Sequence, residues 1–277
     1  MSTTTATQSP AYLLDHDWEQ EPRRLRLLEQ HADPTTIRRL EATGISSGWR
    51  CLEVGAGRGS IARWLGEQVG PEGHVIALDL ETSLLADLDE PNIDVVEGDI
   101  LEIELPEHSF DLIHARLVLM HIPERRRALE RIVSFLRPGG HLVVEELDWM
   151  AILTDPDPDR IALFRAFSEA LETIDFECGR ALLRELDHAG LVETTADFRV
   201  DVIEGATPLA EWEQLSVCAL TEKVLSAGTA TAEQIEAHVV KLGDPQYRGH
   251  GWAWVGARGR SSAAAGADWP DTVALAA

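Results

Sequence analysis

The chain has 277 residues, of which 44% are hydrophobic and 26% charged, and its formal net charge is −24. The length and composition are typical of a globular protein with one large domain, and the negative charge disfavours nucleic acid and anionic membranes as partners. The cysteines Cys51, Cys178 and Cys218 lack metal-ligand spacing, and the polar N-terminal stretch lacks the apolar part of a signal peptide. We therefore expect a cytoplasmic protein with no metal site, no nucleic-acid partner and no membrane segment.

Before residue 47 the sequence predicts a polar start followed by two helices. The first helix carries Leu25 and Leu28 on its apolar face. The second begins at Pro34, which suits a first helical position, and ends at Gly44. We assign these segments to an N-terminal helical lid over residues 1–46.

From residue 47 onwards, apolar strands alternate with amphipathic helices. The strands read RCLEV, HVIALDL, IDVVEGD, FDLIHA and HLVVEEL, and segments with a helical apolar face separate them. Strands that are almost wholly apolar are typical of a parallel sheet covered on both faces by helices. The sequence therefore predicts a Rossmann-like core over residues 47–150.

After residue 150 the pattern changes. An amphipathic helix is predicted for 158–174, another starts at Gly179, and two more begin at Pro208 and at the capping box TAEQ. The stretch VETTADFRVDVIEG alternates as in an antiparallel or edge strand, and GWAWVGARG predicts the last strand. We expect 151–260 to hold a lid helix, the remaining strands and a helical insertion before the last strand, and 261–277 to be a disordered tail.

A glycine-rich turn follows the first strand. The segment LEVGAGRGS places Gly55, Gly57 and Gly59 at alternate positions between a strand and a helix. Such a turn directs backbone N–H groups and the positive end of a helix towards a ligand at the carboxyl edge of the sheet. Because Ser60 occupies the third glycine position of the dinucleotide fingerprint, and no phosphate-loop lysine follows, a nicotinamide dehydrogenase is disfavoured.

Three carboxylates surround this turn in the predicted fold. Asp79 ends the second strand and can accept both hydroxyls of a ribose, while Asp99 follows the third strand and can accept from an adenine amine. Glu53 lies two residues before the turn. These charges would repel a pyrophosphate and attract a ligand that carries a sulfonium and an ammonium group. The residues therefore favour S-adenosylmethionine as the cofactor.

The ordered segments LEVGAGRGS, ALDL, EGDI, FDLIHARLVLMHI and LRPGGHLVVEE resemble the class I S-adenosylmethionine-dependent methyltransferases. The resemblance is to the branch that acts on small molecules in bacterial secondary metabolism and quinone biosynthesis. The resemblance is strong over residues 47–147, and elsewhere it rests only on the order of the predicted helices and strands. It implies an α/β fold with a doubly wound, mostly parallel seven-stranded sheet whose last strand is antiparallel.

By position in these segments, the resemblance also implies a set of cofactor-binding residues. The turn would flank the methionine part, the ends of the second and third strands would hold the ribose and adenine, and the loop after the fourth strand would close over the methionine end. Tyr12 resembles a lid residue that touches the cofactor carboxylate, and a surface role is its alternative; for Arg116 the alternative is a structural ion pair. Besides Tyr12, the implied cofactor-binding residues are Glu53, Gly55, Ala56, Gly57, Gly59, Asp79, Leu80, Asp99, Ile100, Ala115 and Arg116.

Methyl transfer from a sulfonium is an in-line displacement, so catalysis depends chiefly on close and aligned reactants. Removal of a proton helps when the acceptor is a phenol, an alcohol, or an enol or indole carbon. His121 precedes a predicted helix at the same sheet edge, and we predict that it is the base. A role as helix cap or packing residue is the alternative.

The acceptor site is predicted from residues near the fifth strand and the lid. Glu146 leaves that strand at the cavity edge, where it could orient the acceptor. Trp149, Phe164, Phe167 and Phe176 fall where the family has its substrate lid, although core packing is an alternative for such a stripe. We therefore predict a small, largely apolar or aromatic acceptor that is methylated on oxygen or carbon.

Other functions are compatible with this fold. A protein can bind S-adenosylmethionine and catalyse a non-methylating reaction, as in cyclase or pericyclase relatives, or only sense the cofactor. Nucleic-acid methylation is disfavoured because HARL stands where base amino-methyltransferases carry [DNS]PP[YF]. The apolar N-terminal helices would allow a homodimer.

Overall fold

The structure is a computed structural model that describes residues 18–262. It contains one sheet of seven strands: β1 (Arg50–Val54), β2 (His74–Asp79), β3 (Ile93–Glu97), β4 (Phe110–Arg116), β5 (Leu136–Asp148), β6 (Val192–Glu204) and β7 (Arg248–Arg260). Their spatial order is β3-β2-β1-β4-β5-β7-β6. The first five strands pair in parallel, and β7 pairs antiparallel with β5 and β6. The predicted mostly parallel seven-stranded sheet is confirmed.

The described residues also form seven α-helices. Three 3₁₀ turns lie between the larger elements, at Ser83–Leu85, Leu119–His121 and Ile152–Thr154. The helices are α1 (Glu21–Glu41), α2 (Ser60–Val69), α3 (Arg125–Phe135), α4 (Pro158–Ala170), α5 (Cys178–His188), α6 (Pro208–Ala227) and α7 (Ala232–Gly243). Within residues 18–262, none of these helices combines the length and the hydropathy needed to cross a bilayer.

Helices cover both faces of the parallel strands. Successive strand residues point to opposite faces, so Leu52 belongs to one apolar cluster and its neighbour Cys51 to another. The Leu52 cluster includes Ile132 of α3, and the Cys51 cluster includes Leu65 of α2. Both faces are therefore dry, which explains why the parallel strands read as nearly continuous apolar runs.

The N-terminal region differs from the predicted pair of helices. α1 is continuous, with Pro34 in its interior. A proline inside a helix removes one backbone hydrogen bond and usually kinks or ends the helix. Here, tertiary contacts hold both sides: Leu28 lies in the core, and Thr36 Oγ1 donates to Glu145 at 3.0 Å. These contacts keep the helix in place across the proline.

Other boundaries also differ from the prediction. The helical segment expected between β2 and β3 is only the short turn at Ser83–Leu85, and the helix expected after His121 begins at Arg125. The RPGG segment lies in the first part of β5, where the pairing with β4 shifts register. The periodicity of a single strand does not predict this register shift, because the shift arises from the pairing of β4 with β5. Tyr12 and most of the predicted tail lie outside the described residues.

Candidate active site

A cavity of about 230 Å³ opens where the carboxyl ends of β1, β2, β3 and β4 meet α1, α4 and α6. We call its two parts the sheet half and the helical half. The sheet half is lined by Gly55, Gly57, Asp79, Leu80, Gly98, Asp99, Ile100, Arg116 and Leu117. The helical half is lined by Leu28, Phe164, Phe167, Ile174, Phe176, Trp212, Glu213, Ser216, Val217, Leu220 and Trp252. Arg24, Val118, Met120 and His121 also line the cavity.

The glycine turn forms one wall of the sheet half. Gly55 and Gly57 have φ angles of +71° and +57°, a region that disfavours other residues. A Cβ on Gly55 would lie 2.3 Å from Val118 Cγ2, so a side chain there would displace the loop after β4. The backbone N–H of Gly57 donates to Asp79 Oδ2 at 2.7 Å. The turn and the end of β2 are therefore joined directly at the cavity.

The predicted carboxylates at the strand ends also lie on the cavity wall. Asp79 accepts from the Glu81 N–H at 3.3 Å in addition to its bond from the turn. Asp99 Oδ1 accepts from the Leu101 N–H at 2.8 Å. Leu80 and Ile100 stand beside these acids in the wall. The sheet half thus combines carboxylates that are held by backbone N–H groups with apolar surface.

Four residues of the predicted cofactor set do not line the cavity. Ala56 and Gly59 belong to the turn but stay behind its cavity-facing side, and Ala115 is fully buried in β4. Glu53 is 3% exposed, and its carboxylate is bonded to His114 Nδ1 at 2.8 Å. Glu53 therefore supports the turn from below.

A buried polar row crosses three strands beneath the turn. His114 of β4 lies between Glu53 of β1 and Glu145 of β5, whose Oε1 is 3.9 Å from His114 Nε2. Glu145 also pairs with Arg39 at 3.0 Å and accepts from Thr36 at 3.0 Å. The row thereby connects the sheet to α1.

Burial and mutual charges shift the pKa values of the residues in this row. Burial disfavours the imidazolium, but the carboxylates of Glu53 and Glu145 outweigh it and raise the pKa of His114 to about 9. Burial also opposes ionisation of Glu145, yet His114, Arg39 and Arg116 lower its pKa to about 2. These shifts favour a protonated His114 beside an ionised Glu145, whereas burial raises the pKa of Glu53.

The loop after β4 runs between the two halves of the cavity. Arg116 donates to Asp33 Oδ1 and to Thr36 Oγ1, both at 2.9 Å, so it makes a structural ion pair as well as lining the cavity. His121 ends the 3₁₀ turn of this loop. Burial, with the nearby charge of Arg24, lowers the pKa of His121 to about 4. The imidazole is therefore neutral at pH 7 and able to accept a hydrogen bond.

Two of the residues predicted for the acceptor lie elsewhere. Glu146 is buried behind the cavity wall, and its Oε1 accepts from the N–H groups of Val118 and Leu119. Trp149 also stays outside the wall, and its Nε1 donates to Glu177 at 3.2 Å. The alternation of a strand predicts opposite faces but does not predict which face meets a cavity.

The other predicted acceptor residues, Phe164, Phe167 and Phe176, do line the helical half. Two tryptophans that we did not predict, Trp212 and Trp252, join them. The rings of Phe164 and Trp252 meet edge to face at 5.3 Å, and those of Phe176 and Trp252 are 5.6 Å apart. The position of Trp212 on the apolar face of α6 indicates that it is buried, but nothing in the sequence shows that this face packs against α4.

A buried charge cluster holds the helical half together. Arg160 of α4 makes two bonds to Glu213 of α6, one of them at 2.8 Å, and His238 of α7 lies 3.0 Å from the same carboxylate. The Arg160 guanidinium also lies 4.8 Å from the ring centre of Phe164. Burial opposes ionisation of Glu213, but Arg160 and His238 lower its pKa to about 2. The aromatic wall therefore rests on an ionised pair.

Within residues 18–262, no group of three or more His, Cys, Asp or Glu side chains could hold a metal ion.

The sheet half of the cavity lies in a segment that is similar to a known protein family. A family model described as "Methyltransferase domain" matches residues 52–144, which contain the glycine turn, Asp79, Asp99 and the loop after β4. Over this segment the resemblance to the class I S-adenosylmethionine-dependent methyltransferases is confirmed. S-adenosylmethionine is the cofactor of that family.

Curated methyltransferases match about a third of this chain. Methyltransferase str2 from Strobilurus tenacellus is 36% identical over 101 residues, which cover 36% of this chain and 36% of that protein. Demethylmenaquinone methyltransferase from Listeria monocytogenes is 29% identical over 105 residues, covering 35% of this chain and 44% of that protein. The match thus spans less than half of each of these relatives.

A solved structure extends the likeness to more of the methyltransferase fold. The [4+2]-cyclase SpnF superimposes with a TM-score of 0.53 over 85% of this chain and 82% of its own, at 20% sequence identity. At this identity the likeness shows a shared fold. It includes elements outside residues 52–144, where the helical half is formed.

Proposed function

We propose that the protein transfers the methyl group of S-adenosylmethionine to an oxygen or carbon atom of a small, apolar or aromatic acceptor. One observation carries this proposal: a single cavity has a sheet half of backbone amides and carboxylates and a helical half with five aromatic side chains. The first half suits a nucleoside with a sulfonium, and the second suits an aromatic body. Residues of the loop after β4 lie between them.

The carboxylates of the sheet half match the hydrogen-bond donors of the cofactor. Asp79 would accept hydrogen bonds from the ribose hydroxyls, and Asp99 would accept from the adenine amine, with Leu80 and Ile100 against the adenine faces. The close approach of Gly55 to Val118 leaves no room for a Cβ, so the backbone itself would lie next to the methionine part. When bound, the cofactor supplies an electrophilic methyl group.

The chain would then orient the acceptor and take its proton. A neutral His121 can accept a hydrogen bond from an acceptor hydroxyl and so align the oxygen with the methyl group. As the new O–C bond forms, the bond between the methyl carbon and the sulfonium sulfur breaks and a neutral thioether leaves. The hydroxyl proton becomes strongly acidic in this step, and His121 would take it at Nδ1 or Nε2. A base whose pKa is about 4 is weak, but it suffices for a proton that becomes acidic during the transfer.

The helical half favours a planar or apolar acceptor. Its aromatic rings offer faces and edges for stacking, and the Arg160–Glu213 pair keeps Phe164 in position. The name of the Listeria relative describes a quinone-type acceptor for that enzyme, which supports an aromatic acceptor here.

The test is incubation of the purified protein with methyl-labelled S-adenosylmethionine and a metabolite extract, followed by mass spectrometry. We expect a labelled small molecule whose yield falls strongly in His121→Ala and in Asp79→Ala. His141→Ala is the matched control, because His141 is a partly buried histidine that stacks on Trp49 and does not line the cavity. Cofactor binding without any labelled product would contradict methyl transfer.

A second candidate is a cyclisation that uses the bound cofactor without consuming it. The fold shared with SpnF and the apolar helical half, which could fold a flexible chain, favour this candidate. In that case the product would have the mass of the substrate, and S-adenosylmethionine would remain intact after many turnovers.

A further inference from the structure

Glu146 is almost fully buried at the end of β5, behind the cavity wall. Its Oε1 accepts two consecutive backbone N–H groups, that of Val118 at 3.1 Å and that of Leu119 at 2.7 Å. One oxygen that receives adjacent amides is the geometry by which a carboxylate caps the first turn of a helix. The capped element is the 3₁₀ turn Leu119–His121.

This turn and the two residues before it line the cavity through Leu117, Val118, Met120 and His121. Leu117, just before the turn, has a φ of +56°, a strained conformation for a residue other than glycine. Val118 packs against Gly55 of the glycine turn, and the N–H of His121 donates to the Val118 carbonyl at 3.0 Å. A displacement of the capped end would therefore move the wall of the sheet half and His121 together.

The surroundings of Glu146 explain why a carboxyl group at this position is sensitive to its environment. Arg125 of α3 and Cys178 of α5 interact with it electrostatically, and its Oε2 has no hydrogen-bond partner among the described residues. Burial raises the pKa of Glu146 to about 8, although the backbone N–H groups favour the ionised form. The Glu146 carboxyl group therefore changes its protonation state near pH 8, where the folded protein can be studied.

We propose that Glu146 is a positioning residue: it caps the turn after β4 from the neighbouring strand and so holds Val118 against the glycine turn and His121 at the meeting point of the two cavity halves. Glu146 does not touch the reacting atoms. The inference rests on the proposed function for its effect on turnover, whereas the position of the turn can be measured without any acceptor.

Two variants separate the cap from the bulk of the side chain. Glu146→Gln keeps an oxygen acceptor for both N–H groups, and Glu146→Leu keeps the approximate size but removes the acceptor. We expect Glu146→Leu to weaken S-adenosylhomocysteine binding about tenfold or more in calorimetry and to lower kcat, while Glu146→Gln stays within about threefold of wild type in both. Val143→Ala is the stability control, since it opens a cavity in the opposite face of β5, away from the turn.

NMR of the protein without ligand gives an independent readout. We expect the amide signals of Val118 and Leu119 to titrate with an apparent pKa near 8 in wild type, to lose that titration in Glu146→Gln, and to shift strongly in Glu146→Leu. The positioning role is wrong if Glu146→Gln and Glu146→Leu lose equal affinity for S-adenosylhomocysteine. It is also wrong if their loss of affinity only follows their loss of stability, as in Val143→Ala. Absence of S-adenosylhomocysteine binding in wild type would instead refute the proposed function, and the amide signals would still report on the cap.

Discussion

The sheet half and the helical half of the cavity are held in place by different interactions. In the sheet half, the ligand-facing groups are fixed by backbone hydrogen bonds, such as that from Gly57 to Asp79. In the helical half, side chains from α4, α6 and α7 are fixed by the buried pair Arg160–Glu213 and by ring contacts. Under the proposed function, the groups that recognise the cofactor are therefore held at strand ends, whereas those that recognise the acceptor depend on how distant helices pack.

The supports beneath the two halves also differ in their response to pH. The Glu53–His114 contact under the sheet half depends on a proton with a pKa of about 9. The Arg160–Glu213 pair keeps its charges throughout the neutral and alkaline range, because the pKa of Glu213 is about 2 and arginine stays protonated. Mutation and alkaline pH can therefore disturb one half at a time.

The largest effect is expected from Arg160→Met. It leaves the buried Glu213 carboxylate without its main partner, a change that costs about 3–5 kcal/mol of unfolding free energy. Denaturant unfolding measures it, and the double variant Arg160→Met/Glu213→Leu should recover most of the loss. A cost below about 1 kcal/mol would mean that this pair does not hold the helical half.

Alkaline pH should act on the support of the sheet half. The raised pKa of His114 stabilises the fold fully below about pH 6.5, and this contribution is lost as pH rises through about 9. A shift of this size corresponds to about 3 kcal/mol at most. We expect the unfolding free energy of wild type to fall over this range more steeply than that of His114→Gln. Parallel pH profiles would show that His114 carries no proton.

His121→Ala tests the meeting point of the two halves. We expect kcat to fall about 100-fold or more because the acceptor loses its orienting group and its base, while cofactor affinity stays within about twofold. Rates measured with the labelled cofactor give the result, with His141→Ala as control. A rate near that of wild type would assign His121 to packing.

The smallest of these effects is expected from Asp79→Ala. Loss of a charge-assisted hydrogen bond costs about 1.5–3 kcal/mol, so the Kd for S-adenosylmethionine should rise about 10- to 150-fold. Asp94→Ala is the matched control, because Asp94 lies on the neighbouring strand and pairs with His74 away from the cavity. Binding of an aromatic probe in the helical half should not change. Unchanged cofactor affinity in folded Asp79→Ala would remove the ribose role.

The sequence predicted the sheet half well and the helical half in part. Gly55, Gly57, Asp79 and Asp99 line the cavity because each lies at, or within three residues of, the end of a parallel strand, and such ends meet at one edge. Glu146 has a similar position along the chain, yet it turns behind the wall. Strand alternation alone could not decide this, because the loop that Glu146 caps approaches from another strand.

By itself, the sequence determined the strand and helix alternation, the parallel core and the residues at its carboxyl edge, because periodicity and glycine spacing act within a few residues of the chain. Only the tertiary structure decided that α1 continues through Pro34, that Glu53 pairs with His114, and that Trp212 and Trp252 complete the aromatic wall. The two partners of the Glu53 contact are 61 residues apart, and those of Arg160–Glu213 are 53 apart. Contacts of this kind depend on which buried faces meet, a choice made by packing and by the need to neutralise buried charge.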